Sequence, residues 1–143
     1  CGGGDRYATH LLKNVRSSGS GALEYVYDAE PVERVEMSSE NLSAVLAGMH
    51  DLATDGAVSQ YFKNCIVDAA AKTGTVQTGD TKNNNGAFVC FAPYDDPQIA
   101  VAIVIEKGGS GAALASTAVQ VLNAYFSNTS ASSAITGENT LLG

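Results

Sequence analysis

At 143 residues, with 45% hydrophobic and 16% charged residues, the chain has the length and composition of one globular domain or a piece of one. Its formal net charge is −7 and its eight Lys and Arg residues form no cluster, which excludes the basic surface that nucleic acids and anionic membranes require. No run of about 18 apolar residues occurs and no signal-peptide pattern opens the chain, so we expect any membrane anchor to lie outside it.

Cysteine and histidine usage indicates neither a disulfide framework nor a metal site. Cys1, Cys65 and Cys90 are odd in number and lack Cys-x-x-Cys spacing, so we predict free thiols, with Cys90 in the core of a strand. His10 and His50 are far apart and have no partner motif, which favours ordinary surface or capping roles. The sequence therefore predicts no metal and no cofactor.

The first part of the chain is predicted to form peripheral strands. An apolar segment from Tyr7 to Val15 indicates a strand or extended arm, and the Ser/Gly-rich run 17–21 ends it. Residues 22–27 and 32–37 are rich in β-favouring side chains and are separated by Pro31.

A helix is predicted to begin at Ser38 or Ser39, either of which can cap its first turn. Apolar residues then recur at steps of three and four, which predicts one buried face made of Leu42, Val45, Leu46, Met49, Leu52 and Ala53. Gly56 is expected to end this helix, and residues 57–62 to form another turn.

The second half of the chain alternates strands with turns before a final helix. Residues 69–77 and 87–92 are predicted strands joined by a polar loop or hairpin connection, 78–86. After a turn at 93–97, residues 98–106 are apolar without alternation, which predicts a central strand covered on both faces. The helix after Gly111 has a predicted apolar face of Leu114, Ala118, Val121, Leu122 and Tyr125, and residues 127–143 are expected to be a flexible tail.

The tetrapeptide Lys72-Thr73-Gly74-Thr75 combines a positive charge, two hydroxyls and bare backbone, which suits recognition of a carboxylate or a peptide carbonyl. Strand alternation would send Lys72 and Gly74 to one face and Thr73 and Thr75 to the other. We therefore rank Lys72, Gly74 and the Thr75 backbone above Thr73. The alternative is an exposed strand with polar side chains and no function.

In order, these segments resemble the C-terminal half of a penicillin-binding protein transpeptidase domain, most closely the class B, elongation-type enzymes. The resemblance spans about residues 5–126 and rests on segments 70–77, 85–93 and 99–105 and on the helix from Gly111. It implies an α+β fold of the β-lactamase/transpeptidase type, an α/β sandwich whose mainly antiparallel sheet is flanked by helices on both faces. Residues 1–126 would be the C-terminal part of that domain, and 127–143 a tail.

Only one of the family's three motifs, Ser-x-x-Lys, Ser-x-Asn and Lys-Thr-Gly, is expected in this chain. No Ser is followed by Lys at the third position, and Ser59 and Lys63 are four apart. Ser39-Glu40-Asn41 has Ser-x-Asn spacing, but helix capping explains it. The resemblance therefore places the nucleophilic serine outside this chain.

The resemblance implies acyl transfer through a serine ester, with trapping of the same serine by β-lactams. Lys72 and Thr75 would be catalytic, and Thr73, Gly74, Thr75 and Gln77 would bind substrate. Expected partners are peptidoglycan stem peptides, β-lactams and other cell-wall synthesis proteins, at the extracytoplasmic face of a bacterial membrane, with self-association of the chain as a further expectation. The alternatives are a serine β-lactamase and a non-catalytic binding or assembly module of the same fold.

Overall fold

A computed structural model of the chain describes residues 4–78 and 84–134, with side chains described up to residue 128, and it divides the chain into two units, Cys1–Ser39 and Glu40–Gly143. The first unit contains two antiparallel strand pairs. Strand β1 (Asp5–Tyr7) pairs with β4 (Pro31–Arg34), and β2 (Asn14–Arg16) pairs with β3 (Leu23–Val26). The predicted segment from Tyr7 to Val15 is thus divided between two strands rather than forming one.

The strands of the first unit are short and mostly exposed, as expected for peripheral elements. Arg6 lies opposite Glu33 in the β1–β4 pair, and its Nε donates to Glu33 Oε2 at 2.7 Å. Because both side chains are exposed, this ion pair adds at most about 1 kcal/mol. The pair therefore helps the register more than the stability.

Helix α1 (Ser39–Thr54) begins where the sequence predicts, and Gly56 follows its end with an amide that donates to Asp51 O at 2.8 Å. The prediction that its whole apolar face is buried was wrong. Leu42 and Val45 are exposed, whereas Ala53 is buried and Leu52 packs against the core. The reason is position, because the core of the second unit meets only the C-terminal end of this helix.

The sheet of the second unit has three antiparallel strands in the order β5 (Ala70–Val76), β6 (Asn85–Ala92) and β7 (Ile99–Ile105). One of its faces carries Ala71, Phe88 and Cys90, which are buried in a core with the short helix α2 (Ser59–Phe62) and the C-terminal helix. The predicted strands and the turn between β6 and β7 are confirmed. Of the predicted loop, residues 79–83 lie outside the described residues.

The expectation that the apolar strand β7 is central and covered on both faces was wrong. β6 is the middle strand, and β7 pairs with β6 alone among the described residues. Alternate residues of β7 are half-buried and exposed, and Val104 is 71% exposed. A run of apolar residues indicates that both faces of a strand are stabilised by burial. It does not show whether residues of the same chain bury them.

A 3-10 helix (Gly111–Leu114) leads directly into α3 (Ala115–Ala134). The predicted face is confirmed at Leu114, Ala118 and Leu122, which are buried, but Val121 and Tyr125 are exposed. Ala115 and Val119 take their place in contact with the rest of the unit. The helix also continues past Phe126 to Ala134, within the segment predicted as tail, and residues 135–143 lie outside the described residues.

Antiparallel sheets and helices together confirm the predicted α+β class. Across residues 4–78 and 84–134, no helix is both long and apolar enough to cross a membrane.

Candidate functional site

The predicted site residues Lys72 to Thr75 lie in succession on β5, which is an edge strand of the three-stranded sheet. Within the described part of the chain β5 pairs only with β6, so the backbone groups along its outer edge have no strand partner. Such an edge is able to accept an extended peptide as an added strand. Gln77 is exposed just beyond the C-terminal end of the strand.

Lys72 is exposed, and its Nζ donates to the carbonyl oxygen of Thr73 at 2.6 Å. The ammonium group therefore lies back along its own strand. A lysine on a flexible stem has three donors, so the charge remains able to reach a carboxylate or hydroxyl close to β5.

The register of β5 with β6 confirms that the four residues divide between two faces. Lys72 pairs with Val89 and Gly74 with Ala87, and this face is open at Lys72 and Val89. Thr73 and Thr75 pair with Phe88 and Gly86, on the face that carries the core. Thr73 is half-buried while Thr75 is exposed, because the core covers this face of β5 only in part.

Gly74 lies in the strand with room for ordinary contacts on its own face. A Cβ added there would lie 3.4 Å from Ala87 Cβ, which is a normal van der Waals distance. Because Gly74 has no side chain, the strand backbone is uncovered at this point on the face that also carries Lys72. Glycine in a strand interior often marks a place where a ligand or another backbone comes close, so the role of Gly74 in binding stays a prediction.

A residue that sequence reasoning missed, Gly111, packs against the backbone of Gly74 from the core side. A Cβ on Gly111 would come within 3.0 Å of Ala87 O, Gly74 O and Gly74 N. The only signal in the sequence is the glycine-rich run 108–111, which comes directly before the predicted helix.

A second missed feature joins α1 to the start of β5. His50 Nε2 lies 3.0 and 2.9 Å from the two carboxylate oxygens of Asp68, and the His50 ring stacks on Tyr94 at 4.2 Å between centroids. The amide of Tyr94 in turn donates to Asp68 O at 3.0 Å. Sequence spacing gives no sign of this contact, because its three members come from a helix, a loop and a turn.

Cys65 and Cys90 belong to the core of the second unit rather than to the outer edge of β5. Cys90 is buried, and burial together with the nearby Cys65 thiol raises its pKa from 9.0 to about 11. Burial also raises the pKa of Cys65, which is partly exposed. Within residues 4–78 and 84–134 no group of three or more His, Cys, Asp or Glu side chains is placed to hold a metal ion.

Comparison with known proteins places the chain in a protein family. Residues 2–126 match the family model described as the penicillin binding protein transpeptidase domain. The peptidoglycan D,D-transpeptidase MrdA of Escherichia coli (strain K12) is 33% identical over 130 residues, which cover 80% of this chain and 20% of that protein. The chain thus spans no more than about a fifth of the length of the relatives that it matches first.

Solved structures show the same fold. Penicillin-binding protein 2B of Streptococcus pneumoniae (strain R6) superposes with a TM-score of 0.68 at 22% identity, covering 88% of this chain and 22% of that one. A complex between penicillin-binding protein PBP2 and MreC from Helicobacter pylori matches with a TM-score of 0.58 at 25% identity, covering 64% of this chain and 18% of that one.

Proposed function

Because the chain belongs to the penicillin-binding protein transpeptidase domain family, we propose that it forms the Lys-Thr-Gly side of the acyl-transfer site of a peptidoglycan D,D-transpeptidase. The observation that carries the proposal is the position of Lys72 to Thr75 on an edge strand with an unpaired outer edge among the described residues. A stem peptide is an extended chain, and it would lie along this edge by adding a strand.

The proposed reaction has two steps. A serine Oγ attacks the carbonyl carbon of a D-alanyl-D-alanine peptide, the C–N bond breaks, and the terminal D-alanine leaves as an amine that carries the serine proton. The amine of a neighbouring stem peptide then attacks the serine ester, the C–O bond breaks, and the serine recovers a proton from the amine. No Ser-x-x-Lys occurs in this sequence, so the serine would come from residues outside the chain.

The residues of β5 take distinct roles in this proposal. Lys72 supplies a positive charge that favours the substrate carboxylate and orients the hydroxyl of the Ser-x-Asn element. The Thr75 amide is one of two donors to the oxyanion, a kind of group worth roughly 3 to 4 kcal/mol in other acyl-transfer enzymes. Gly74 admits the substrate backbone, the Thr73 and Thr75 hydroxyls are candidates for carboxylate recognition, and Gln77 lies at the margin of the site.

The surroundings of the proposed enzyme follow from its substrate. Peptidoglycan lies outside the cytoplasmic membrane, so the site would work at the extracytoplasmic face. Other cell-wall synthesis proteins are the expected partners, and a PBP2 relative from Helicobacter pylori has been solved in complex with MreC. β-Lactams would enter the same site and acylate the serine.

Labelling with a fluorescent penicillin tests the proposal. The 143-residue chain alone should remain unlabelled because it has no Ser-x-x-Lys, whereas the longer protein that contains it should carry a covalent label. A labelled band from the pure 143-residue chain would refute the assignment of the nucleophile. Rapid release of the label as hydrolysed product would indicate a β-lactamase, and a longer protein that binds nothing would support a non-catalytic module.

Lys72→Ala in the longer protein tests the role of this strand directly. Loss of the charge should lower the rate of acylation on the order of 100-fold, because the positioned donor to substrate and hydroxyl is gone. Lys63→Ala removes another exposed lysine, after α2, and serves as the matched control. Equal acylation in the two variants would remove Lys72 from the mechanism.

A further inference from the structure

We propose that Gly111 is a positioning residue that fixes the peptide unit between Gly74 and Thr75, and so aims the Thr75 amide; this rests on the oxyanion role proposed above for that amide. Gly111 lies on the core side of the sheet and has no atom of its own in the site. Its effect comes from how closely its backbone seats against β5 and β6.

Gly111 packs over one pair of residues in the sheet. Gly74 and Ala87 are opposite each other in the β5–β6 register. A Cβ on Gly111 would come within 3.0 Å of Gly74 O, Gly74 N and Ala87 O, a distance that real Cβ contacts essentially never show. All three neighbours are backbone atoms, so they cannot give way as the end of a flexible side chain can.

The contact with Gly74 O matters because of peptide geometry. Gly74 C=O and Thr75 N–H belong to one planar unit in which the oxygen and the hydrogen point in opposite directions. Any shift or rotation of Gly74 O therefore moves the Thr75 N–H by a comparable amount. Gly111 thus packs against the carbonyl oxygen of this peptide unit, and the Thr75 N–H at the opposite side of the unit would point to the oxyanion.

The 3-10 helix that begins at Gly111 is itself held at both ends. At its start, the Ser110 side chain accepts a hydrogen bond from Ala112 N at 3.3 Å. At its end, Leu114 is buried, and its Cδ1 lies 3.4 Å from the position of a Cβ on Gly86. The helix then continues into α3, whose Ala115, Ala118 and Leu122 are fully buried. A methyl group at position 111 therefore has to displace the sheet backbone, because the helix has little freedom to retreat.

Gly56 offers a matched control for loss of stability. A Cβ there would lie 2.7 Å from Leu52 Cα and 2.9 Å from Leu52 O, a comparable clash at the end of α1. Both Gly111→Ala and Gly56→Ala should therefore lower the melting temperature. Only Gly111→Ala should disturb the Gly74–Thr75 peptide.

The first measurement is made on the 143-residue chain by amide nitrogen–proton correlation NMR. In Gly111→Ala the signals of Gly74 and Thr75 should move, while in Gly56→Ala they should coincide with the wild-type signals. Ser110→Ala loosens the start of the 3-10 helix without adding volume, so it provides a second variant if Gly111→Ala does not fold. The proposal is overturned if Gly111→Ala folds and its Gly74 and Thr75 signals do not move. If Gly111→Ala does not fold, unmoved signals in Ser110→Ala overturn it.

The second measurement uses the longer protein and a β-lactam that reports acylation, at a temperature where all variants are folded. Gly111→Ala should slow the acylation step by roughly 10- to 100-fold with little change in the initial dissociation constant, since an aimed donor acts mainly in the transition state. Gly56→Ala should acylate like the wild type, and equal rates for both variants would overturn the role. If the wild type itself is not acylated, the proposed function fails, and the NMR result still decides whether Gly111 positions this peptide.

Discussion

Lys72 and Cys90 are neighbours in the sheet but belong to opposite faces. Lys72 is opposite Val89 on the open face, and Cys90 is opposite Ala71 on the core face. The two-residue period of a strand was sufficient to predict the division between Lys72 and Thr73, and the burial of Cys90. It gave no sign of Gly111, because the packing of one backbone on another leaves no periodic pattern of side chains.

The buried Cys90 thiol should make the stability of the chain depend on alkaline pH. Its pKa is about 11 in the folded chain against 9.0 for an ordinary thiol, so the folded state keeps a proton that the unfolded state loses between these values. The free energy of unfolding should therefore fall as the pH rises through this window, by about 2 to 3 kcal/mol from this group, and the contribution is fully present below the lower value.

Urea unfolding of the wild type and of Cys90→Ala from pH 8 upward would measure the effect, because titration of tyrosines and lysines cancels in the comparison. Cys90→Ala should lose less stability over the same pH range. Parallel curves for the two proteins would contradict a protonated, buried thiol.

At the scale of elements, the sequence predicted helices and strands well and their partners poorly. The bounds of α1 and of the three sheet strands follow from capping, periodicity and turn residues. The exposure of Leu42 and the edge position of β7 among the described strands did not follow, because both depend on what other parts of the structure cover. The same limit hid the contact of His50 with Asp68, which joins residues 18 positions apart.

The side chain of Asn123 in α3 should stabilise the packing of this helix against the loop before β5. Its Oδ1 accepts from Ile66 N at 2.9 Å and its Nδ2 donates to Asn64 O at 2.9 Å, so one side chain ties α3 to the loop before β5. Asn123→Ala should lower the free energy of unfolding by about 1 to 2 kcal/mol, since two hydrogen bonds to backbone are lost. Gln120→Ala, on an exposed position of the same helix, should change it little in denaturant unfolding, and similar losses for both would show that the amide contacts contribute nothing.

At the scale of the whole chain, apolar surface remains uncovered in the second unit. Val89 and Val104 are exposed on one sheet face, and β7 has a strand neighbour on one side only among the described residues. Exposed strand edges and apolar patches of this kind promote association. The predicted self-association of the chain therefore has a specific surface.

Val104→Lys tests that surface. A charge at this position should shift the chain toward monomer, because burying a lysine against a second apolar surface is costly. Sedimentation velocity over a concentration series would measure the change. Gln120→Lys adds the same charge to α3 and serves as control, and equal effects of both variants would point to net charge rather than to the sheet face.

The order of the strands also has a consequence for how the second unit forms. β5 pairs with β6 and β6 with β7, so both pairings join strands that are consecutive in the chain, and the 3-10 helix and α3 come after β7. Pairing between sequence neighbours closes short loops and is fast compared with pairing between distant segments. The Lys72 strand would therefore gain its β6 partner early during synthesis on the ribosome. The contact of this strand with Gly111 would form only later, when the 3-10 helix before α3 has emerged.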